Sequence, residues 1–101
     1  MNIPEIKCGQ WLVIRTDGTE EPMEGKPTIG KINRVLGVTC LDSVPLRHGQ
    51  DAIVMMCDDT GMVDGKPVNS KATELYHSRC KPGTLYSIHG DVAIVNDEDF
   101  A

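Results

Sequence analysis

Apolar and polar positions divide this chain into short blocks whose periods change from two to about 3.6 and back. Residues 10–16 (QWLVIRT) are apolar and rich in β-branched side chains, which predicts a strand. Asp17-Gly18 follows, a strong turn dipeptide. Residues 20–27 hold two prolines, one glycine and three glutamates, and read as a loop. Thr28 is a good N-cap, and Ile29, Ile32, Val35 and Leu36 fall on one stripe at helical spacing. A short helix is therefore predicted, closed by Gly37 at the position of a left-handed cap. Residues 38–46 predict a strand in which Pro45 implies a bulge or an edge position.

Residues 47–50 read as a turn. Residues 52–57 (AIVMMC) are apolar on both faces and predict a strand placed centrally in the sheet. Asp58-Asp59-Thr60-Gly61 turns the chain, Met62-Val63 begins a short paired strand, and Asp64-Gly65 makes a second turn. Asn69 caps a second helix with Ala72, Leu75, Tyr76 and Cys80 on one face, and Pro82-Gly83 stops it. Residues 84–88 and 91–95 predict two last strands around a turn or bulge at His89-Gly90. Residues 95–101 read as a frayed acidic tail. The order is β-α-β-β-α-β-β, and its short connections demand antiparallel neighbours. The fold class expected is α+β: one domain over residues 1–101, with a small antiparallel sheet of about five strands and two short helices on one face.

Composition narrows the classes. With 40% hydrophobic and 25% charged residues the chain is too apolar to be disordered. Its net charge of −5 disfavours nucleic-acid backbone and anionic membrane, and permits a basic protein partner. Cys8, Cys40, Cys57 and Cys80 are too widely spaced for a C-x-x-C motif or a dense disulfide framework, which implies thiols in a reducing cytosol. No basic and apolar leader opens the chain, and the longest apolar run, residues 52–57, is too short to cross a bilayer.

Candidate chemistry is sparse. His77-x-x-Cys80 puts two strong metal ligands on one helix face, but a structural zinc site needs two more, and no spacing supplies them. The run DDTGMVDG has acids around a glycine without the ligand spacing of a calcium loop, and reads as a hairpin. Neither a nucleophile elbow nor a phosphate-cradling glycine loop occurs. The expectation is a protein that is not an enzyme and holds no metal or cofactor. Ser70, Lys71 and Thr73 place donors near a helix start, where a phosphate or carboxylate could sit, although a cap is the plainer reading.

Asp58, Gly61, Gly65, Pro67, Asn69, Ala72, Gly90 and Asp91 carry a resemblance. The runs DDTGMVDGKPVNSKATELY and GDVAIV are similar to an uncharacterised family of phages and some bacteria, domain of unknown function 3846. The match covers the C-terminal half, and the loop at residues 20–27 is richer in proline and glutamate than that family's pattern. The resemblance implies a phage or mobile-element setting in the host bacterial cytosol, and no reaction.

Three functions follow as expectations. The first is a non-catalytic accessory protein that binds and inhibits a host protein, such as a CRISPR defence complex, through an acidic surface of Glu20, Glu21, Glu24, Asp58, Asp59, Asp97, Glu98 and Asp99. The second is a small-molecule binder that sequesters a nucleotide immune signal with Arg47, His48, Asn69 and Lys71. The third is an enzyme acting on nucleotides. Self-association into a homo-oligomer is compatible with each.

Overall fold

The computed structural model describes residue 6 and residues 9–46, 53–58, 65–79 and 87–96. Within them lie β1 (Gln10–Ile14), β2 (Glu20–Glu24), α1 (Ile29–Leu36), β3 (Leu41–Pro45), β4 (Ile53–Asp58), α2 (Ser70–Arg79) and β5 (Val92–Asn96). The strands form one antiparallel sheet in the order β2-β1-β5-β4-β3. This is the small α+β fold that the hydrophobic pattern predicts. The strand over residues 52–57 is interior, and β5 takes the centre.

The helices do not share a face. Side chains alternate across a strand, so the inner strands β1, β4 and β5 contribute to two separate cores. On one side Ile14, Ile53, Met55, Val92 and Ile94 pack with Ala72 and Leu75 of α2. On the other side Trp11, Val13, Val54, Met56, Ala93 and Val95 pack with Ile32 and Leu36 of α1. The expected two-layer arrangement is thus corrected to three layers, with the sheet in the middle. The physical reason is already in β4 and β5, which are buried at every position from Ile53 to Cys57 and from Val92 to Asn96. Burying a Val or Met is worth about 1.5–3 kcal/mol. Leaving one face of this sheet in water would forfeit on the order of 10 kcal/mol, as much as the whole stability of a small domain.

Local chemistry sets the element ends. The Thr28 hydroxyl accepts from the Lys31 N–H at 3.2 Å, and Gly37 closes α1 at φ 68°, donating to the Asn33 carbonyl. At the β1–β2 turn Gly18 (φ 90°) donates to the Arg15 carbonyl at 2.9 Å. The Thr19 N–H there is held by the Asp17 carboxylate at 2.8 Å.

Residues 20–24, expected to be loop, form β2. They pair with β1 from Gln10↔Glu24 to Ile14↔Glu20, and Met23 turns inward onto the α1-side core. The pairing with β1, rather than strand-forming residues, makes this segment a strand. The expected turn at 47–50, the short strand at Met62-Val63 and most of the strand at 84–88 lie outside the described residues. His89 joins a single bridge with Val68.

Candidate binding surface

Helices cover both faces of the sheet, so its two edges, β2 and β3, are the places where strand backbone meets solvent. In an antiparallel pair, hydrogen-bonded and non-hydrogen-bonded residue pairs alternate. Arg15 N–H donates to the Thr19 carbonyl and Gly25 N–H donates to the Gly9 carbonyl, each at 2.9 Å. Counting inward in steps of two, Met23 and Glu21 bond to β1, while Glu20, Pro22 and Glu24 turn their backbone groups outward. Proline has no N–H, so the middle of this rim offers a carbonyl and no donor.

β3 repeats the device. Leu46 N–H donates to the Ile53 carbonyl at 2.7 Å, so Leu41, Ser43 and Pro45 point their backbone groups outward. Pro45 again lacks the donor, as its expected edge position requires. The Ser43 N–H is occupied by the Asp42 carboxylate at 3.0 Å. Both edges are therefore poor templates for adding a strand.

The predicted acidic residues do not form one surface. Glu20 and Glu21 point to opposite faces of β2. Lys71 reaches Glu20 at 3.1 Å from α2, and Arg15 takes Glu21 in a two-pronged contact at 3.0 and 3.2 Å. Glu24 is exposed on the same side of β2 as Glu20. The Asp58 side chain is only 5% exposed and pairs with Lys66, so it serves the fold. Asp59, Asp97, Glu98 and Asp99 lie outside the described residues. What survives is an acidic rim on β2 in which Glu24 is exposed and Glu20 is paired with Lys71.

The predicted anion-binding set is altered as well. Asn69 is fully buried, and its amide donates to the carbonyls of Ile14 at 2.9 Å and Gly90 at 3.0 Å. Its side-chain oxygen caps α2 by accepting from the Ala72 N–H at 3.1 Å. Asn69 thus ties α2 to β1 and to the start of β5, and has no donor left for a ligand. Lys71 is engaged with Glu20, while Arg47 and His48 lie outside the described residues.

Sequence reasoning missed the main polar cluster. Arg15 bonds Glu21 of β2, Asp91 just before β5 at 2.9 Å, and the carbonyl of Val35 in the last turn of α1 at 3.2 Å. The hydrogen bond to Glu21, followed by that to Asp91, raises the affinity of the Arg15 guanidinium for its proton against the opposing effect of burial. Asp91 also accepts from the Thr16 N–H at 2.9 Å. These partners lie up to 76 residues apart in sequence, so no local pattern announces them. Asp17 is held below the usual carboxylate range, first by its hydrogen bond to the Thr19 side chain and then by the backbone N–H of Thr19.

His89 Nδ1 lies 2.8 Å from the Lys66 carbonyl. A carbonyl can only accept, so Nδ1 carries the proton. His77 is exposed on α2, and its sequence neighbour in the possible ligand pair, Cys80, lies outside the described residues. Cys40 is an exposed thiol. Among the described residues no helix is long and apolar enough to cross a membrane.

No family model, curated protein or solved structure matches this chain.

Proposed function

We propose that this chain is a non-catalytic accessory protein of a phage or mobile element that binds a host protein and inhibits it. A bacterial defence complex of the CRISPR type is the target class. The observation that carries this reading is the β2 rim. It presents the Glu20 and Glu24 carboxylates beside outward backbone carbonyls, with no N–H at Pro22. Such a rim is rich in acceptors and negative, and suits Lys and Arg side chains that otherwise hold nucleic-acid phosphates. The overall charge of −5 steers the same encounter. Arg15, Asp91, Lys66, Asp58 and Asn69 are committed to the scaffold, which supports a role in presenting a surface. The resemblance of residues 58–76 and 90–95 to a phage-associated family supplies the setting.

The test is co-purification of the tagged chain from a host carrying an active CRISPR system, alongside plaque counts for a targeted phage. The expected result is a stoichiometric host partner and restored plaquing. Both are lost in Glu20→Lys/Glu24→Lys while the variant's circular dichroism is unchanged. Recovery of no stoichiometric partner, or a variant that binds as well as the parent, removes the reading.

A further inference from the structure

Aspartate closes a ring when its carboxyl carbon bonds to the backbone nitrogen of the next residue. Closure is easiest before glycine, whose missing side chain leaves that nitrogen open. By sequence the weak point is therefore Asp17-Gly18. The β1–β2 turn takes it out of reach. The Gly18 N–H is occupied by the Arg15 carbonyl at 2.9 Å, and the Asp17 carboxylate is drawn past it to the Thr19 N–H at 2.8 Å. Contacts with Thr19, its side chain first and then its N–H, hold Asp17 below the usual carboxylate range, and an ionised carboxyl is a poor electrophile.

Asp42-Ser43 on β3 is arranged the other way. Both residues are exposed. Because Leu46 N–H donates to the Ile53 carbonyl, the inward positions of β3 are Val44 and Asp42, and the Ser43 N–H stays out of the ladder. It points at the carboxylate of its own neighbour, with Asp42 Oδ1 3.0 Å from the Ser43 nitrogen. The carboxyl carbon is one bond beyond that oxygen. Nucleophile, electrophile and the proton to be lost are thus gathered at contact distance on an edge strand, where local opening is easiest.

We infer that Asp42-Ser43, in preference to Asp17-Gly18, is the site at which the folded chain is modified to isoaspartate. The Ser43 nitrogen bonds to the Asp42 carboxyl carbon, and a carboxyl oxygen leaves as water with the Ser43 proton and the carboxyl proton. Water then opens the five-membered ring. Opening at the backbone carbonyl carbon leaves the chain running through the Asp42 side chain, one carbon longer. The added atom falls between the Asp42↔Cys57 and Val44↔Met55 pairs and throws β3 out of register. The Asp42 carbonyl, which accepts from the Cys57 thiol at 3.7 Å, becomes part of a free carboxylate. Cys57, 7% exposed, is thereby uncovered. β3 is the edge opposite β2, so the inference stands apart from the host-protein reading.

Incubation of the full chain for weeks at mildly acidic pH, in buffer and in urea, tests it. Isoaspartate is located by peptide mapping with electron-transfer fragmentation and measured by methylation with an isoaspartyl-specific carboxyl methyltransferase. In buffer, Asp42 is expected to carry several-fold more isoaspartate than Asp17. In urea the order reverses, because only the sequence then governs closure. Alkylation of Cys57 in the aged parent rises with the isoaspartate at Asp42. Ser43→Pro lacks the attacking N–H at an outward edge position, and forms no isoaspartate at Asp42. Isoaspartate at Asp17 equal to or above that at Asp42 in buffer overturns the inference. So does an Asp42 that stays unmodified in buffer, or the same ratio of the two sites in both solvents.

Discussion

Asn69 ties distant parts of the fold together through one fully buried side chain. Three elements meet at its amide, and two of the groups it satisfies are backbone carbonyls that would otherwise be left without its donors. An unsatisfied buried polar group costs about 1–3 kcal/mol, and loss of an N-cap about 1. Asn69→Ala is therefore expected to destabilise by roughly 2–4 kcal/mol in urea titrations. Asn69→Asp keeps the cap but turns a carboxylate toward the Ile14 and Gly90 carbonyls. Its folded-state pKa is raised above the unfolded value, so this variant is relatively more stable in acid and loses stability as pH rises through the carboxyl range. Equal losses at low and neutral pH would contradict that orientation. Asp17 behaves in the opposite sense. Its pKa is lowered, so its contribution is present above the ordinary carboxyl range and lost as pH falls through the folded value. Thr19→Val removes the first cause of that shift, and NMR titration should place the Asp17 midpoint higher than in the parent, though still lowered by the backbone N–H of Thr19.

At the scale of elements, the two edge strands are protected by the same substitution of proline for an outward N–H. Pro22→Thr together with Pro45→Thr restores a donor to each rim without disturbing the ladders inside. The expected outcome is concentration-dependent association on light scattering, which the parent lacks at the same concentration. A double variant that stays monomeric would mean that the Glu20, Glu24 and Asp42 side chains suffice. These edges also explain what could be read beforehand. The strands over 10–16, 38–46, 52–57 and 91–95 and both helices were legible because apolar period and caps agree there. β2 was not, because EEPME has almost no strand propensity and gains its geometry by pairing with β1. The helix placement was legible in principle, since AIVMMC and VAIVN are apolar on both sides and need two covering layers. The candidate surface was less so. Glu20 and Glu24 share an edge only once β2 exists, and the burial of Asn69 depends on contacts distant in sequence.

At the scale of the molecule, one sheet separates two cores, and each core depends on the same three inner strands. Met55→Ala, on the α2 side, is expected to cost about 2–5 kcal/mol. Trp11 is buried in the opposite core and reports on it by fluorescence. The fluorescence and far-ultraviolet transitions of Met55→Ala should move together, as for a two-state domain. An unmoved Trp11 transition would mean that the layers melt separately. Strand order carries a further consequence, for biosynthesis. β1–β2 and β3–β4 each pair strands that are neighbours in sequence, yet in the sheet they are joined through β5, the last of the described strands. A nascent chain that lacks residues 92–96 is two disconnected ribbons, neither of which is stable alone in water. Until β5 is made the sheet stays open, and its long-range pairings favour slow folding.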